Sequence, residues 1–382
     1  MNTQKTTTFN SLETPCLLLD RKLMERNFIN LSNRLQSFGV SLRPHMKTVK
    51  SIDVAKDSFK EADVPITVST LKEAEEFAKA GFTDMIYAVG ISPNKPRRIQ
   101  QIRAGGVKLR VILDSVEQAE ILSKYVQNTK DPIQVLIEVD CDGQRSGVKP
   151  DDKDNILKIA YALKEGGAIL EGVLSHSGGS YSSKSIDEIA QAAERERIAT
   201  VGVANILREN GCSAPIVSIG STPAAYFAKD FTGVTEVRAG VFMFQDLVMA
   251  GIGVCTPNDI AISVLTTVIG HQAEKGWIIV DAGWMAMSRD RGTANQKADM
   301  GYGLACNERG DVIENLTMIS AAQEHGVLAF RDGRKDVHVS FPAGTMLRIL
   351  PNHACATAAQ FQEYQVIENN KVADIWSRFN GW

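Results

Sequence analysis

The sequence predicts an α/β protein in which a (β/α)8 barrel is followed by an all-β domain. Short apolar runs alternate with helical stretches from residue 17 to about 245, the runs number eight, and past residue 250 helical periods give way to strands separated by Gly, Asn and Asp turns. Repeated βα units imply a parallel sheet, and eight of them in roughly 230 residues imply closure into a barrel of the TIM type. An open, doubly wound sheet is the alternative. The expected boundaries are 20–250 for the barrel and 251–382 for the β domain, with residues 1–19 packing with the latter.

Taken in order, the barrel strands are expected at 41–47, 66–69, 84–89, 109–113, 133–139, 170–175, 216–219 and 236–239. Their β-branched and apolar content, without clean alternation, suits strands buried on both faces. Segments 71–81, 115–126 and 151–167 read as helices, the first two opening at Thr70 and Asp114 as N-caps, the first and third closing on glycine. Beyond residue 250, segments 261–270, 276–283, 337–340, 344–352 and 363–376 read as strands. Residues 14–19, ahead of the first helix, read as one more strand of that β domain.

Composition narrows the function. A chain of 382 residues with 44% hydrophobic and 23% charged residues is that of a soluble globular protein. A net charge of −3 gives no basic footprint for nucleic acid and no polybasic patch for a membrane surface. No apolar run approaches the roughly 18 residues that a membrane span needs. The polar N-terminus lacks a secretory core, and six cysteines without CxxC spacing read as reduced thiols, so the cytoplasm is the expected location.

The chemistry is expected at the C-terminal ends of the barrel strands. If 41–47 is extended, Arg43, His45 and Lys47 share one face, where three cations call for an anionic ligand. The competing reading is a solvated basic strand end. A lysine among cations suits Schiff-base chemistry. Arg145 follows the fifth strand and His176 the sixth. Gly220, Ser221, Thr222 and Pro223 follow the seventh and open a short helix, and Gly240 follows the eighth. The loops after strands seven and eight are the usual phosphate site of such barrels. A phosphate together with an imine-forming amine points to pyridoxal 5'-phosphate (PLP). In the β domain, His353 and Cys355 stand at i and i+2, a two-ligand grip for a divalent ion if extended, although His-x-Cys is also a common chance pattern.

These residues resemble the D-serine dehydratase-like and D-threonine aldolase group of fold-type III (alanine racemase-like) PLP enzymes. The resemblance runs through TPCLLLD, RPHMKTVK, EVDCDGQRSGV, GVLSHSGGSY, VSIGSTP, TEVRAGVFMFQD, VDAGWMAMSRD, QEHG, PNHAC and ADIWSRFNGW. It implies that Lys47 carries PLP, that Arg145 approaches the cofactor's phenolic oxygen, and that Gly220, Ser221, Thr222 and Gly240 hold its phosphate. It also implies a divalent metal, zinc or manganese, on His353 and Cys355, and a homodimer. Lys47, His45 and His176 are the candidate catalytic residues. Departures from the family pattern border the site: Gly178 and Gly179 in the His176 loop, Met285 where the family often has Lys, and Phe242 where it often has Tyr.

The resemblance implies a lyase acting on a D-3-hydroxy amino acid such as D-serine or 3-hydroxyaspartate. Lys47 removes the α-proton and the metal acts on the β-hydroxyl. Loss of the hydroxyl gives a 2-oxo acid and ammonia; its deprotonation instead breaks Cα–Cβ, as in a D-threonine aldolase. Cys355 favours the zinc-type dehydratase, where an Asp would favour the aldolases. A racemase has no use for such a metal, and a non-catalytic PLP carrier would resemble only the first 245 residues.

Overall fold

In a computed structural model, residues 9–59 and 64–382 are described, and their contacts divide into two units. One comprises Asn30–Gly240 with the last two residues; the other comprises Val241–Asn380 with the N-terminal residues up to Ile29. None of the described helices is long and apolar enough to cross a membrane.

Strand β1, Cys16–Asp20, precedes the barrel, whose eight strands are β2 Ser41–Pro44, β3 Ile66–Val68, β4 Asp84–Gly90, β5 Lys108–Leu113, β6 Gln134–Val139, β7 Ile169–Ser175, β8 Ile216–Ile219 and β9 Glu236–Ala239. All neighbours pair in parallel, in the order β2-β9-β8-β7-β6-β5-β4-β3. The ring closes through a single parallel bridge between His45 and Thr67, with the Met46 N–H donating to the Thr67 carbonyl at 2.8 Å. That closure excludes the open doubly wound sheet.

Helix starts follow the expected cap chemistry with one shift. Thr70 accepts the Glu73 N–H ahead of the helix Leu71–Lys79. The cap of Val116–Thr129 is Ser115, one residue past the expected Asp114. Asp114 instead accepts the Gly147 N–H at 2.8 Å and so anchors the loop that carries Arg145.

Side chains two residues apart on a strand share a face, so each barrel strand stacks two or three of them inside the ring, each roughly 7 Å above the last. At the strand starts this lining is charged. The buried Arg43 pairs with Glu236 and Asp84 at 2.7 Å each, and the buried Arg110 pairs with Asp84 at 2.7 Å and Glu171 at 2.6 Å. Above it Ile86, Ile112, Leu136 and Leu174 form an apolar layer. His45, Glu138 and Arg238 follow at the strand ends.

Here the reading of 41–47 needs correction. Strand β2 ends at Pro44, and Met46–Val49 form a turn, so Lys47 does not continue the strand face. Arg43 and His45 do share that face, but at opposite ends of it. Arg43 is neutralised by two carboxylates and leaves no charge for a ligand to satisfy.

The other unit is a nine-stranded sheet. Its strands are β1, β10 Ile262–Gln272, β11 Trp277–Val280, β12 Leu304–Cys306, β13 Val312–Ala321, β14 Gly326–Phe330, β15 Met346–Leu350, β16 Glu363–Glu368 and β17 Lys371–Ser377. Strand β10 is long enough to pair with both β15 and β11, which closes six strands into a ring, β10-β11-β14-β13-β12-β15. Strand β1 lies antiparallel to β10 and parallel to β16. The expected strand at 337–340 is instead one helical turn, Val337–Ser340. Only Val337 is buried, and no neighbouring strand is registered against the segment.

Burial, the largest influence, pushes the Asp84 carboxyl up, but Arg43 and Arg110 outweigh it and hold its pKa below the ordinary value. A carboxylate with a depressed folded pKa contributes stability above its unfolded pKa, and that contribution is lost as pH falls through the folded value. Asp84→Asn is therefore expected to cost about 2 kcal/mol near neutral pH. In thermal melts the deficit should shrink below about pH 4; one that persists undiminished there would remove the ion pairs as its cause.

Candidate active site

At the strand ends of the barrel unit, four loops carry the candidate cofactor residues. Lys47 is exposed on the turn after β2, and its backbone N–H lies 3.5 Å from His45 Nδ1. Its ammonium makes no ion pair among the described residues, which leaves the amine available to a carbonyl compound. Burial is the main cause that drives the His45 imidazolium pKa well below the ordinary value, helped by Lys47, Arg238 and His176. His45 is therefore neutral near pH 7.

His176 follows β7, and its Nδ1 lies 2.8 Å from the Gly220 carbonyl. A carbonyl only accepts, so Nδ1 carries the proton and Nε2 presents its lone pair. Burial, with Lys47 next, lowers the His176 pKa to about 3. Arg145 is exposed on the loop after β6, 3.7 Å from the buried Glu138, whose pKa burial raises. Asp142 on the same loop accepts the Gly179 N–H at 2.8 Å and ties it to the His176 loop.

Gly220 leaves room that no other residue would, and Gly240 sits where a side chain would be tight. Gly220 has φ +135, and a Cβ there would lie 2.2 Å from the Arg238 carbonyl oxygen. A Cβ on Gly240 would meet the His45 carbonyl at 3.2 Å, under the turn that carries Lys47. Ser221 caps the short helix Thr222–Phe227, with proline in its first turn. Thr222 Oγ1 is buried and has no hydrogen-bond partner. An orphaned hydroxyl at the start of that turn, beside glycines that admit close backbone approach, is what a phosphate-bearing ligand would satisfy. These residues fit PLP.

Sequence spacing did not single out Arg238. It is buried, donates to Ser218 Oγ at 2.7 Å and to the Ser175 carbonyl, and burial lowers its pKa to about 10. Two residues beyond Glu236, it stands at the ligand end of the lining; alternation along β9 was the signal available.

In the other unit, His353 and Cys355 lie at the start of the short helix Ala354–Ala358, so they meet around a helical turn and not along a strand as expected. His353 Nδ1 is 2.6 Å from Asp290 Oδ2, and the imidazole also hydrogen-bonds Cys355. Partial burial opposes the imidazolium, but Asp290, Cys355 and then Asp246 raise its pKa to about 11. A divalent ion would displace those protons, with Nε2 and the thiolate as ligands and Asp290 fixing the ring. Buried Asp246 accepts the Ala354 N–H at 3.0 Å, between the two candidate ligands. Among the described residues no three His, Cys, Asp or Glu side chains converge on one ion position. His325 is exposed on the β13–β14 turn, and His271 Nε2 donates to the Phe341 carbonyl at 2.7 Å.

The alanine racemase N-terminal domain family matches residues 19–247, and the serine dehydratase domain family matches residues 261–367. A D-threo-3-hydroxyaspartate dehydratase of Delftia sp. (strain HT23) is 49% identical over 98% of this chain and 99% of its own. A D-serine dehydratase of Dictyostelium discoideum is 31% identical over 98% of each. Two solved structures of a D-threo-3-hydroxyaspartate dehydratase, one from Delftia sp. HT23 and one a cysteine-to-alanine variant in the metal-free form, superpose with a TM-score of 0.96 at 49% identity. They cover 98% of this chain and 100% of theirs.

Lys47→Ala is expected to abolish the visible absorbance that the wild-type chain acquires with PLP. Persistence of that band would move the cofactor linkage to another amine.

Proposed function

This chain belongs to the D-serine dehydratase-like and D-threonine aldolase group of fold-type III PLP enzymes, and from that premise we propose that it dehydrates D-3-hydroxy amino acids, with D-threo-3-hydroxyaspartate as the substrate. The observation that carries this reading is the similarity, along nearly the whole chain, to an enzyme of that activity. The thiolate in the His353–Cys355 pair favours zinc over manganese as the metal. A homodimer is the proposed assembly.

Bound PLP would supply an electron sink for the α-carbon, and the divalent ion a Lewis acid for the β-hydroxyl. Lys47 Nζ takes the α-proton as the Cβ–O bond breaks and water leaves. The released enamine becomes an imine and hydrolyses with one water to a 2-oxo acid and ammonia. Gly220, Ser221, Thr222 and Gly240 would hold the phosphate of bound PLP, and Arg145 would serve its phenolic oxygen. His176 stays neutral, with its Nε2 lone pair available. His45 supports the Lys47 turn through its backbone contact. His353 Nε2 and Cys355 Sγ hold the ion, and Asp290 holds the His353 ring.

The purified chain, supplied with PLP and zinc or manganese and offered D-threo-3-hydroxyaspartate, D-serine and D-threonine, is expected to release 2-oxo acid and ammonia. Glycine and an aldehyde would make it an aldolase. Cys355→Ala is expected to keep PLP absorbance while losing the bound ion, by metal analysis, and turnover; unchanged turnover would take the metal out of the reaction.

A further inference from the structure

Glu196 lies on the helix Ile186–Glu209, outside every motif that marks the cofactor loops, and its side chain is fully buried. One oxygen, Oε1, accepts the Gly220 N–H at 2.9 Å, the Ser177 N–H at 3.1 Å and the Ser175 hydroxyl at 3.0 Å. The other oxygen, Oε2, has no hydrogen-bond partner. Burial, the largest influence, raises the pKa of this carboxyl, and the bonds it accepts lower it. A buried carboxyl is costly to keep, and nothing in the proposed reaction uses it directly.

What it does hold is the geometry of two loops at once. Ser177 follows His176, and Gly220 opens the segment Gly220–Ser221–Thr222. The Gly220 carbonyl receives the His176 ring, so the residue that Glu196 grips on its N–H side orients the imidazole on its C=O side. A second link runs parallel: Ser180 Oγ donates to the Ser177 carbonyl at 2.7 Å and lies 2.8 Å from Ser221 Oγ. With φ +135 and Arg238 behind it, Gly220 has no intrinsic preference for this conformation that would hold the loop without such ties.

We propose that Glu196 is a positioning residue of the phosphate cradle, a buried acceptor that locks the loops after β7 and β8 into the shape that receives the cofactor phosphate. The proposal rests on the PLP reading of this site. Removing the acceptor strands two buried N–H donors and frees Gly220 to turn. The loss therefore falls on the phosphate end of the ligand, remote from the amine that reacts with its carbonyl.

The test compares PLP with pyridoxal, which lacks the phosphate, by absorbance titration of apo wild-type, Glu196→Ala and Glu196→Gln chains. Wild type is expected to prefer PLP strongly. Glu196→Ala should lose about tenfold or more of that preference while its pyridoxal affinity is kept. Glu196→Gln, whose amide oxygen can accept the same bonds, should restore most of it. Thermal melts identify the folded variants, and Glu196→Gln carries the comparison if Glu196→Ala does not fold: a preference within about threefold of wild type is then the supporting result. Glu196→Ala that keeps the full preference, loss of PLP and pyridoxal affinity in equal measure, or a Gln variant as impaired as a folded Ala variant overturns the proposal alone. A wild-type chain that does not distinguish PLP from pyridoxal overturns the PLP reading and the proposal with it.

Discussion

A closed ring of eight short strands has to fill its own interior, and that constraint organises the barrel unit. Strands of three to seven residues give each only a few inward positions, so the lining is a stack of thin layers. The lowest is ionic, with two arginines shared among three carboxylates. Burying charge in this way is tolerable because each guanidinium bridges two carboxylates and each carboxylate is met. The apolar layer above covers that network, and one thread crosses it: Ser218 Oγ accepts from Arg238 and donates to Glu236, at 2.7 Å each, so the ligand end stays linked to the acids below.

The chemistry divides along the chain. The residues fit for a cofactor belong to the barrel unit, and the residues fit for a divalent ion belong to the β unit, each set held by its own buried carboxylates. Glu73 is a third instance. Fully buried, it accepts from Ser69 and lies 3.4 Å from Lys50, three residues past Lys47, so it steadies the turn that bears Lys47. In each case a carboxylate accepts backbone or side-chain donors that a loop cannot satisfy by itself. Loops that must present side chains in fixed directions need such anchors, because they lack a ladder of their own.

Much of this was legible in the residues. All eight barrel strands were located because β-branched runs buried on both faces stand out between amphipathic helices, and the candidate loops follow from strand order. The end of β2 was misread because Arg43, His45 and Lys47 alternate as a strand would, and only the Thr67 bridge shows where pairing stops. Strands β12, β13 and β14 were missed: β12 is only three residues long, and much of β13 is exposed and polar, so its apolar signal is thin. Glu196, Asp246 and Asp290 were invisible for a different reason. Each acts on a partner far away in sequence (Asp290 on His353, Glu196 on Gly220), and spacing carries no trace of such pairings. Spacing set His353 and Cys355 side by side on a strand, whereas a helical turn brings the two side chains together.

The position of β1 has a consequence for how the chain is made. Residues 16–20, Cys-Leu-Leu-Leu-Asp, are the partners of β10 and β16, so this apolar segment, made well before them, must wait for its neighbours. About 240 residues separate it from β10, a delay on the order of ten seconds to nearly a minute at ordinary synthesis rates. Throughout that interval a three-leucine strand has both edges unpaired, the condition under which chaperone capture competes with aggregation. The barrel can complete its ring while it is still waiting. Strands β10 and β16 therefore do more than extend a sheet: they cover an apolar segment that has waited unpaired since early in synthesis.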